Sequence, residues 1–328
     1  QHIAYSVQAR LKSLVVVDQL ERIGKIEEPP VLEPIPDETG WTYRNRALFH
    51  VDAQGHLGFL SPRSHEVYPI DACPILCEPL NDLLAALDMT YPELEWMTLR
   101  AGIATDDLMV VLQAKHEESP SLLVDFPLSV VQIRHDGAIA PLIGLGYITE
   151  IVHGQEFRIS ATSFYQVNTA QAATLVDLVL NALELEGTET VLDAYCGVGL
   201  FTAFLSERAE VVIGIEADHT AVADADHNLV DAENVDLYEG PVEEVLPLVT
   251  ETLDTAVVDP PRTGLEPEVV DALAAHAPSR LVYVSCDPAT LARDAKRLIR
   301  HGYTLQWVQP VDMFPQTYHV ESVSLFVQ

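Results

Sequence analysis

Apolar side chains recur at helical spacing through the first part of the chain, from Ile3 through Leu11 to Ile23. Recurrence every three or four residues predicts an amphipathic helix. A proline-rich segment, residues 28–36, follows and ends the helical pattern. We therefore predict a helix and a linker over residues 1–39 that pack on the C-terminal domain.

The pattern changes from helical to alternating after Trp41, as is typical of half-buried strands. Apolar residues alternate over 47–51 and again over 57–59, and a short polar turn lies between the two runs. Two such runs around a turn predict a β-hairpin. Further short strands and one helix, near 74–87, follow, so residues 40–158 are predicted to form a compact α+β domain.

Strands and helices alternate strictly after Asn168. The predicted strands are 190–194, 211–215, 235–238, 255–258 and 280–284, and the predicted helices are 169–184, 200–207, 219–229, 242–248, 267–275 and 288–300. Strict alternation predicts an α/β, doubly wound parallel sheet with ligand sites at the carboxyl ends of its strands. Two last strands, 304–312 and 320–327, are joined by a loop too short for a crossover helix, so they should pair antiparallel. The C-terminal domain is predicted to span 159–328.

Composition narrows the class of protein. The 328 residues include 50 acidic and 18 basic side chains, which gives a formal charge of −32, and 48% of residues are apolar. This charge excludes a uniformly basic protein that coats nucleic acid, whereas the apolar content supports a large folded core. Four irregularly spaced cysteines and the lack of a long apolar run predict a cytoplasmic protein outside the membrane.

A glycine-rich turn at 193–199 reads Asp-Ala-Tyr-Cys-Gly-Val-Gly and directly precedes a predicted helix. Its glycines permit a tight turn and the close approach of a ligand, and Glu216, at the tip of the next strand, can bind two ribose hydroxyls. The third glycine of a dinucleotide fingerprint is missing. The turn alone predicts either a nucleotide site or a plain strand–helix connection, and the terminal hairpin favours the S-adenosylmethionine (SAM) methyltransferase variant of the fold.

Two further strand ends carry reactive groups. Strand 255–258 ends in Asp-Pro-Pro followed by Arg262, where amino-group methyltransferases carry an aromatic residue, so an exocyclic amine is a less favoured target. Strand 280–284 leads into Cys286, with Asp287 placed as the N-cap of the next helix. The positive end of that helix favours a thiolate, although a cysteine after an apolar strand is also commonly an inert buried thiol.

Basic side chains form two local groups in this acidic chain. Four cations lie on one face of the predicted helix 288–300 and could contact phosphate, or could simply be a solvated helix face. These are Arg293, Lys296, Arg297 and Arg300. The second group, Arg44, Arg46 and Arg63, is interleaved with aromatic residues that suit either stacking on single-stranded RNA or core packing.

Five segments, in this order, resemble the RNA uracil-C5 methyltransferase family, which makes 5-methyluridine in ribosomal and transfer RNA. The matching segments are 163–168, 193–199, 259–264, 284–288 and 312–321. The resemblance implies that Cys286 is the nucleophile and Glu321 the base. It also implies a SAM site lined by Gln166, Tyr195, Gly197, Glu216 and Asp259.

Many members of that family carry an N-terminal barrel and then a cysteine cluster that holds a [4Fe-4S] centre, which ends just before a pair like Gln1-His2. Cys73 resembles the distant fourth ligand of that centre, but its three partners are absent, and Cys77 cannot replace them. We therefore expect the cluster only in a longer parent protein, of which this chain would be an N-terminally truncated part.

The sequence favours SAM-dependent methylation of C5 of a specific uridine in RNA. Large-subunit ribosomal RNA is preferred over transfer RNA, because Cys73 resembles a cluster ligand and cluster-bearing members are typically ribosomal enzymes. The alternative is an RNA-binding or RNA-remodelling module in which catalysis is dispensable or lost. A dinucleotide oxidoreductase is disfavoured by the Asp-Pro-Pro motif and the terminal hairpin. RNA is the expected partner, and the protein is expected to be a monomer.

Overall fold

The structure is a computed structural model that describes residues 2–61, 64–87, 90–116 and 127–328. These residues divide into two compact units. The C-terminal unit contains residues up to Gly40, Ser163–Tyr165 and Ala170–Gln328, and the central unit contains Trp41–Thr162 and Gln166–Thr169.

The helices are α1 Tyr5–Gln19, α2 Glu78–Ala86, α3 Thr169–Leu183, α4 Leu200–Ser206, α5 His219–Asn228, α6 Val242–Val245, α7 Pro267–His276 and α8 Pro288–Arg300. The strands are β1 Arg46–Val51, β2 Leu57–Leu60, β3 Val67–Pro69, β4 Leu94–Ala101, β5 Leu108–Ala114, β6 Ser129–Ile133, β7 Ile139–Ile143, β8 Tyr147–Val152, β9 Gln155–Ser160, β10 Thr190–Ala194, β11 Val211–Glu216, β12 Val235–Glu239, β13 Thr255–Val258, β14 Arg280–Ser285, β15 Thr304–Val311 and β16 Glu321–Val327. A π-helical turn, Leu20–Gly24, extends α1, and a 3₁₀ turn, Leu246–Leu248, extends α6.

The central unit is built on a seven-stranded sheet in the order β3-β2-β1-β4-β5-β6-β7. Its strand pairs are antiparallel except for β5 and β6. Apolar side chains of the sheet pack with those of α2, such as Leu80 and Leu83, and form one buried cluster. The β8–β9 hairpin belongs to the same unit. The central unit is therefore an α+β structure.

The C-terminal unit contains the second seven-stranded sheet, in the order β12-β11-β10-β13-β14-β16-β15. The first five of these strands are parallel, and β16 lies antiparallel between β14 and β15. Strands such as β13 are buried along their whole length, as expected where helices cover both faces of a sheet. The predicted fold class, a doubly wound sheet with an antiparallel terminal hairpin, is confirmed.

Helix α1 forms where the sequence predicts it, but the prediction of which side of the helix faces the core is wrong. Leu11 and Leu14 are 42% and 54% exposed, whereas Lys12 and Val16 are buried. The Lys12 ammonium lies 2.6 Å from Asp312 Oδ1 and also donates to a backbone carbonyl of the following loop. The buried face carries Ala9, Lys12, Val16 and Leu20, so a buried ion pair and apolar packing together set the rotation of this helix.

The proline-rich segment after α1 runs parallel to β15 and hydrogen-bonds with it. Leu32 N donates to Val308 O at 2.8 Å, and Ile35 N donates to Pro310 O at 2.9 Å. Both bonds lie within the C-terminal unit, so this segment covers the edge of the sheet. No helix among the described residues is long and apolar enough to cross a membrane.

Replacing Lys12 by Ala should destabilise the protein by about 3–5 kcal/mol, because the buried Asp312 carboxylate would lose its cation. Arg22→Ala is the matched control, since Arg22 pairs with Asp18 at the surface and such pairs contribute less than about 1 kcal/mol. Chemical denaturation of the three proteins measures both effects. Equal losses for the two variants would contradict the assigned role of Lys12.

Candidate active site

Three acidic side chains meet where β10, β11 and β13 end. Asp193 is fully buried and accepts a hydrogen bond from Thr202 Oγ1 at 2.6 Å. Burial raises the pKa of Asp193 to about 7, and the charge of Glu216 adds to the effect. Burial likewise raises the pKa of Asp259 to about 7, with contributions from Asp193 and Glu216. The carboxyl edge of the sheet therefore concentrates negative charge in a poorly solvated place.

The glycine-rich turn after β10 fixes Glu216 through its backbone. Gly197 N donates to Glu216 Oε2 at 2.9 Å, and the amides of Ala217 and Asp218 donate to Oε1, both at 2.8 Å. Gly197 has φ +57°, and a Cβ added there would meet no atom within 4 Å. The turn thus exposes backbone to open space beside a preoriented carboxylate, which suits the close approach of a ligand.

The pairing of β14 with β16 brings Cys286 and Glu321 together. Ser285, the last residue of β14, pairs with Ser322, so the residues that follow and precede this pair are neighbours. Cys286 is half-buried, whereas Glu321 is only 3% exposed. Asp287 caps α8 as predicted, because its Oδ1 accepts from the amides of residues 289 and 290.

The sequence predicts that the helix dipole favours the Cys286 thiolate, but the surroundings of Cys286 have the opposite effect on its pKa. The pKa of this thiol is raised to about 11, chiefly by burial and then by the charges of Glu321 and Asp259, while the nearby Arg262 acts to lower it. Burial and Asp259 also raise the pKa of Glu321 well above its ordinary value, against the opposing charge of Arg262. In the unliganded protein, the expectation of a thiolate is therefore wrong.

Arg262 is the site residue that the sequence reasoning missed. It follows the two prolines after Asp259, and its Nη2 lies 3.4 Å from His319 Nδ1. The His319 ring lies in turn 4.2 Å from the Tyr318 ring and 5.6 Å from the Phe314 ring, between centroids. The sequence could have identified Arg262, because it follows the strand that is adjacent to the one before Cys286, and the ends of these two strands lie side by side.

Comparison with known proteins places the chain in a family. The family model described as tRNA (uracil-5-)-methyltransferase matches residues 146–328. An RNA methyltransferase of Gloeobacter violaceus is 36% identical to the chain, and the match covers 99% of this chain and 79% of that protein. An RNA methyltransferase of Enterococcus faecalis is also 36% identical, and the match covers 100% of this chain and 80% of that protein. The chain belongs to this family. It is an RNA uracil-C5 methyltransferase that uses SAM.

A solved structure supports the same assignment over the full length of the chain. The tRNA (uracil-54, C5)-methyltransferase of Pyrococcus abyssi, in complex with S-adenosylhomocysteine (SAH), matches with a TM-score of 0.83 at 29% identity. The match covers 100% of this chain and 84% of that one. The fold of the methyltransferase therefore extends through both units.

The residues at the carboxyl edge fit the cofactor of this methyltransferase. Asp193 Oδ1 is buried and has no hydrogen-bond partner among the described residues, which leaves an acceptor for a polar group of a ligand. The surrounding carboxyl groups suit a sulfonium cation, and the binding of ribose hydroxyls by Glu216 stays a prediction. Tyr195 packs partly against the apolar core. Gln166 is buried in the central unit, and its backbone carbonyl accepts a hydrogen bond from Asn45 Nδ2 at 3.1 Å. The role of the Gln166 side chain in cofactor binding stays a prediction.

The predicted basic stripe on α8 is only partly available to RNA. Arg293 Nε and Arg297 Nη1 lie 2.8 and 3.4 Å from Oδ1 of the buried Asp294. Lys296 is half-buried, and Arg300 is exposed at the end of the helix. Two of the four cations are therefore paired inside the protein, and phosphate binding by this stripe stays a prediction.

The second basic group lies in the central unit. Arg44 Nε donates to the Arg46 carbonyl at 2.8 Å, and both side chains are half-buried. The pKa of Arg46 is lowered, mainly by burial and then by the charge of Arg44. Arg63 lies outside the residues that the structure describes, and RNA contact by this group stays a prediction.

The predicted iron–sulfur ligand lies just before α2. The Cys73 amide donates to Asn81 Oδ1 at 2.9 Å, and Cys77 is buried one turn further on. In the described part of the chain, no three side chains of the usual ligand types come close enough to hold a metal ion. These residues do not fit a cluster that needs four ligands, and no catalytic step is assigned to one.

SAM should bind more tightly as the pH rises from about 6 to 8, because carboxyls with pKa values near 7 become charged in that range. SAH lacks the sulfonium charge, so its affinity should depend less steeply on pH. Isothermal titration calorimetry with both ligands measures the two slopes. Asp193→Asn should flatten the SAM slope, whereas Asp254→Asn, at the amino end of β13, should leave it unchanged. An unchanged slope in Asp193→Asn would refute the assignment.

Proposed function

We propose that the enzyme methylates a uridine in RNA through a covalent bond between Cys286 and C6 of the uracil. The observation that carries the proposal is the register of β14 and β16, which makes Cys286 and Glu321 neighbours. These two groups also interact electrostatically with Asp259, which interacts in turn with Asp193 and Glu216 of the cofactor site. A nucleophile and a carboxylate are therefore adjacent to the place where a methyl donor fits.

The chemistry requires both groups, because C5 of uracil is a poor nucleophile. The Cys286 thiolate adds to C6, and the C5–C6 electron pair moves to form an enolate whose C5 is nucleophilic. Bound SAM supplies the electrophilic methyl group. Glu321 then removes the proton from C5, the C5–C6 double bond re-forms, and the thiolate leaves C6.

The electrostatics of the site support distinct tasks for Cys286 and Glu321. A raised pKa makes Glu321 a stronger base than an ordinary carboxylate, which suits removal of a proton from carbon. The raised pKa of Cys286 means that the thiolate must be stabilised by its surroundings, and the Arg262 guanidinium lowers that pKa. A uracil inside a duplex cannot reach a half-buried thiol, so the target must be flipped out or lie in a loop.

Replacing Cys286 by Ala should abolish methyl transfer to uridine-containing RNA, since no adduct can form at C6. Tritium transfer from labelled SAM measures the activity. Cys77→Ala, a change in the core of the central unit, is the matched control and should remain active. Full activity of Cys286→Ala would refute the proposal. If the intact protein also transferred no methyl group but bound RNA, the alternative of an RNA-binding module without catalysis would be favoured.

Replacing Glu321 by Gln should separate the steps, because an amide cannot accept the C5 proton that elimination requires. A methylated RNA should then stay bound to Cys286, and it should be visible as a band of reduced mobility on a denaturing gel. Glu268→Gln, on α7, should show normal turnover and no such band. Rapid turnover by Glu321→Gln would exclude Glu321 as the base.

Two observations bear on the RNA that is modified. Cys73 resembles a ligand found in ribosomal RNA enzymes of the family, and on that ground we place the target in large-subunit ribosomal RNA. The Pyrococcus abyssi protein is a transfer RNA uracil-54 methyltransferase, and its similarity supports transfer RNA as the second candidate.

Deleting the gene should remove one 5-methyluridine from the RNA of the source cell, and re-expression of the protein should restore it. Mass spectrometry of nuclease fragments from purified ribosomal and transfer RNA identifies the position. A Cys286→Ala copy serves as the control and should not restore the modification. Loss from transfer RNA alone would contradict the ribosomal assignment and favour the second candidate.

A further inference from the structure

A buried carboxylate on α8, Asp294, connects two segments that carry site residues. Asp294 is fully buried, and it lies two turns after Cys286 along the start of α8. Its Oδ2 accepts from the Leu265 amide at 2.8 Å and from the Tyr283 hydroxyl at 3.0 Å. One side chain therefore joins α8 and β14 to the loop that follows Arg262.

Arg293, the residue before Asp294 on α8, forms a second link between the helix and the loop. Its Nη2 donates to the Thr263 carbonyl at 2.8 Å and to Asp294 Oδ2 at 3.0 Å. The pKa of Arg293 is raised, chiefly by its hydrogen bond to Asp294. The ion pair fixes the guanidinium, and the guanidinium fixes the residue next to Arg262.

The loop can approach Asp294 this closely because it contains Gly264. A Cβ at that position would lie 2.5 Å from Arg293 Nη2 and closer still to Asp294 Oδ2, and the backbone there has φ +75°. Any side chain would displace either the loop or the paired Asp294 and Arg293 side chains, and the positive φ would add strain. The glycine of the Asp-Pro-Pro-Arg-Thr-Gly segment is therefore explained by contact with Asp294.

We propose that Asp294 is a positioning residue for methyl transfer: it holds the loop at 260–265 against α8, and it thereby holds Arg262 beside the strand end that carries Cys286. This role rests on the proposed function, because it matters for turnover only if Cys286 is the nucleophile. Asp294 does not touch the reacting atoms. It acts through Arg262, which lowers the pKa of Cys286 by its charge and a hydrogen bond.

The bonds of Asp294 and Arg293 thereby couple the position of Arg262 to that of Cys286. Cys286 directly follows β14, to which Tyr283 belongs, and Arg262 precedes the part of the loop that Asp294 and Arg293 hold. When these bonds are lost, the loop can move while β14 stays in the sheet. A displacement of about 1 Å in a catalytic arrangement can cost up to about 100-fold in rate.

The test is to compare Asp294→Asn with the wild type in two assays. Methyl transfer should fall about 10- to 100-fold in kcat, with little change in the affinity for SAH. Alkylation of Cys286 in the absence of RNA, followed by mass spectrometry of its peptide over a range of pH, should shift to higher pH. Asp271→Asn, which alters a surface carboxylate on α7 paired with His301, is the matched control and should change neither measurement.

A double-variant experiment separates positioning from a general loss of structure. Arg262→Gln should shift the alkylation profile on its own, and adding Asp294→Asn to it should produce no further shift, because the interaction through which Asp294 acts is already gone. Additive shifts, or a normal profile in Asp294→Asn, would overturn the proposal. If Asp294→Asn does not fold, Tyr283→Phe removes only one hydrogen bond and should give a smaller shift in the same direction.

The alkylation readout is independent of the proposed reaction. A wild-type protein that transfers no methyl group to uridine would refute the proposed function, whereas the alkylation profiles would still show whether Asp294 controls the effect of Arg262 on Cys286. An active wild type with an unchanged Asp294→Asn profile would instead refute the positioning role alone.

Discussion

The burial of carboxyl groups at the carboxyl edge of the C-terminal sheet is the constraint on which the site depends. Asp193, Asp259 and Glu321 are held where water is scarce, and each has a raised pKa because burial disfavours its charged form. This arrangement costs stability in the unliganded protein, but it creates a site that prefers a cation. The same field opposes ionisation of Cys286, so the proposed nucleophile requires a compensating positive group, and Arg262 lowers its pKa.

Strand register decides whether these groups can meet at all. Because β16 is antiparallel and lies between β14 and β15, its first residue lies beside the last residues of β14. A slip of one residue would turn Glu321 to the other face of the sheet. The proline-rich segment that pairs with β15 and the Lys12–Asp312 ion pair hold the start of the 312–320 loop. The N-terminal residues therefore help to place a group that lies some 300 positions later in the chain.

Most of the C-terminal fold could be predicted from the sequence, because apolar runs and capping residues act locally. Asp287 caps its helix, and strands such as β13 begin and end where their patterns do. The buried face of α1 was not predicted in the same way, since it includes Lys12, which pairs with a residue far away in sequence. The pKa of Cys286 was expected to be low from the helix dipole alone. Burial and two carboxylates outweigh that dipole, and neither can be read from residues near Cys286.

The formal charge of −32 limits how such an enzyme can hold RNA. Attraction between cations and phosphates is the usual source of affinity, yet Arg293 and Arg297 are already paired with Asp294. Aromatic side chains of the same unit offer another source, because Tyr318 and Phe164 are 86% and 60% exposed and Tyr318 contacts the His319 ring. Stacking contributes about 1–3 kcal/mol per base and does not require net positive charge. An acidic protein can therefore bind an unpaired uridine through contacts with the base, provided that the RNA presents that base outside a duplex.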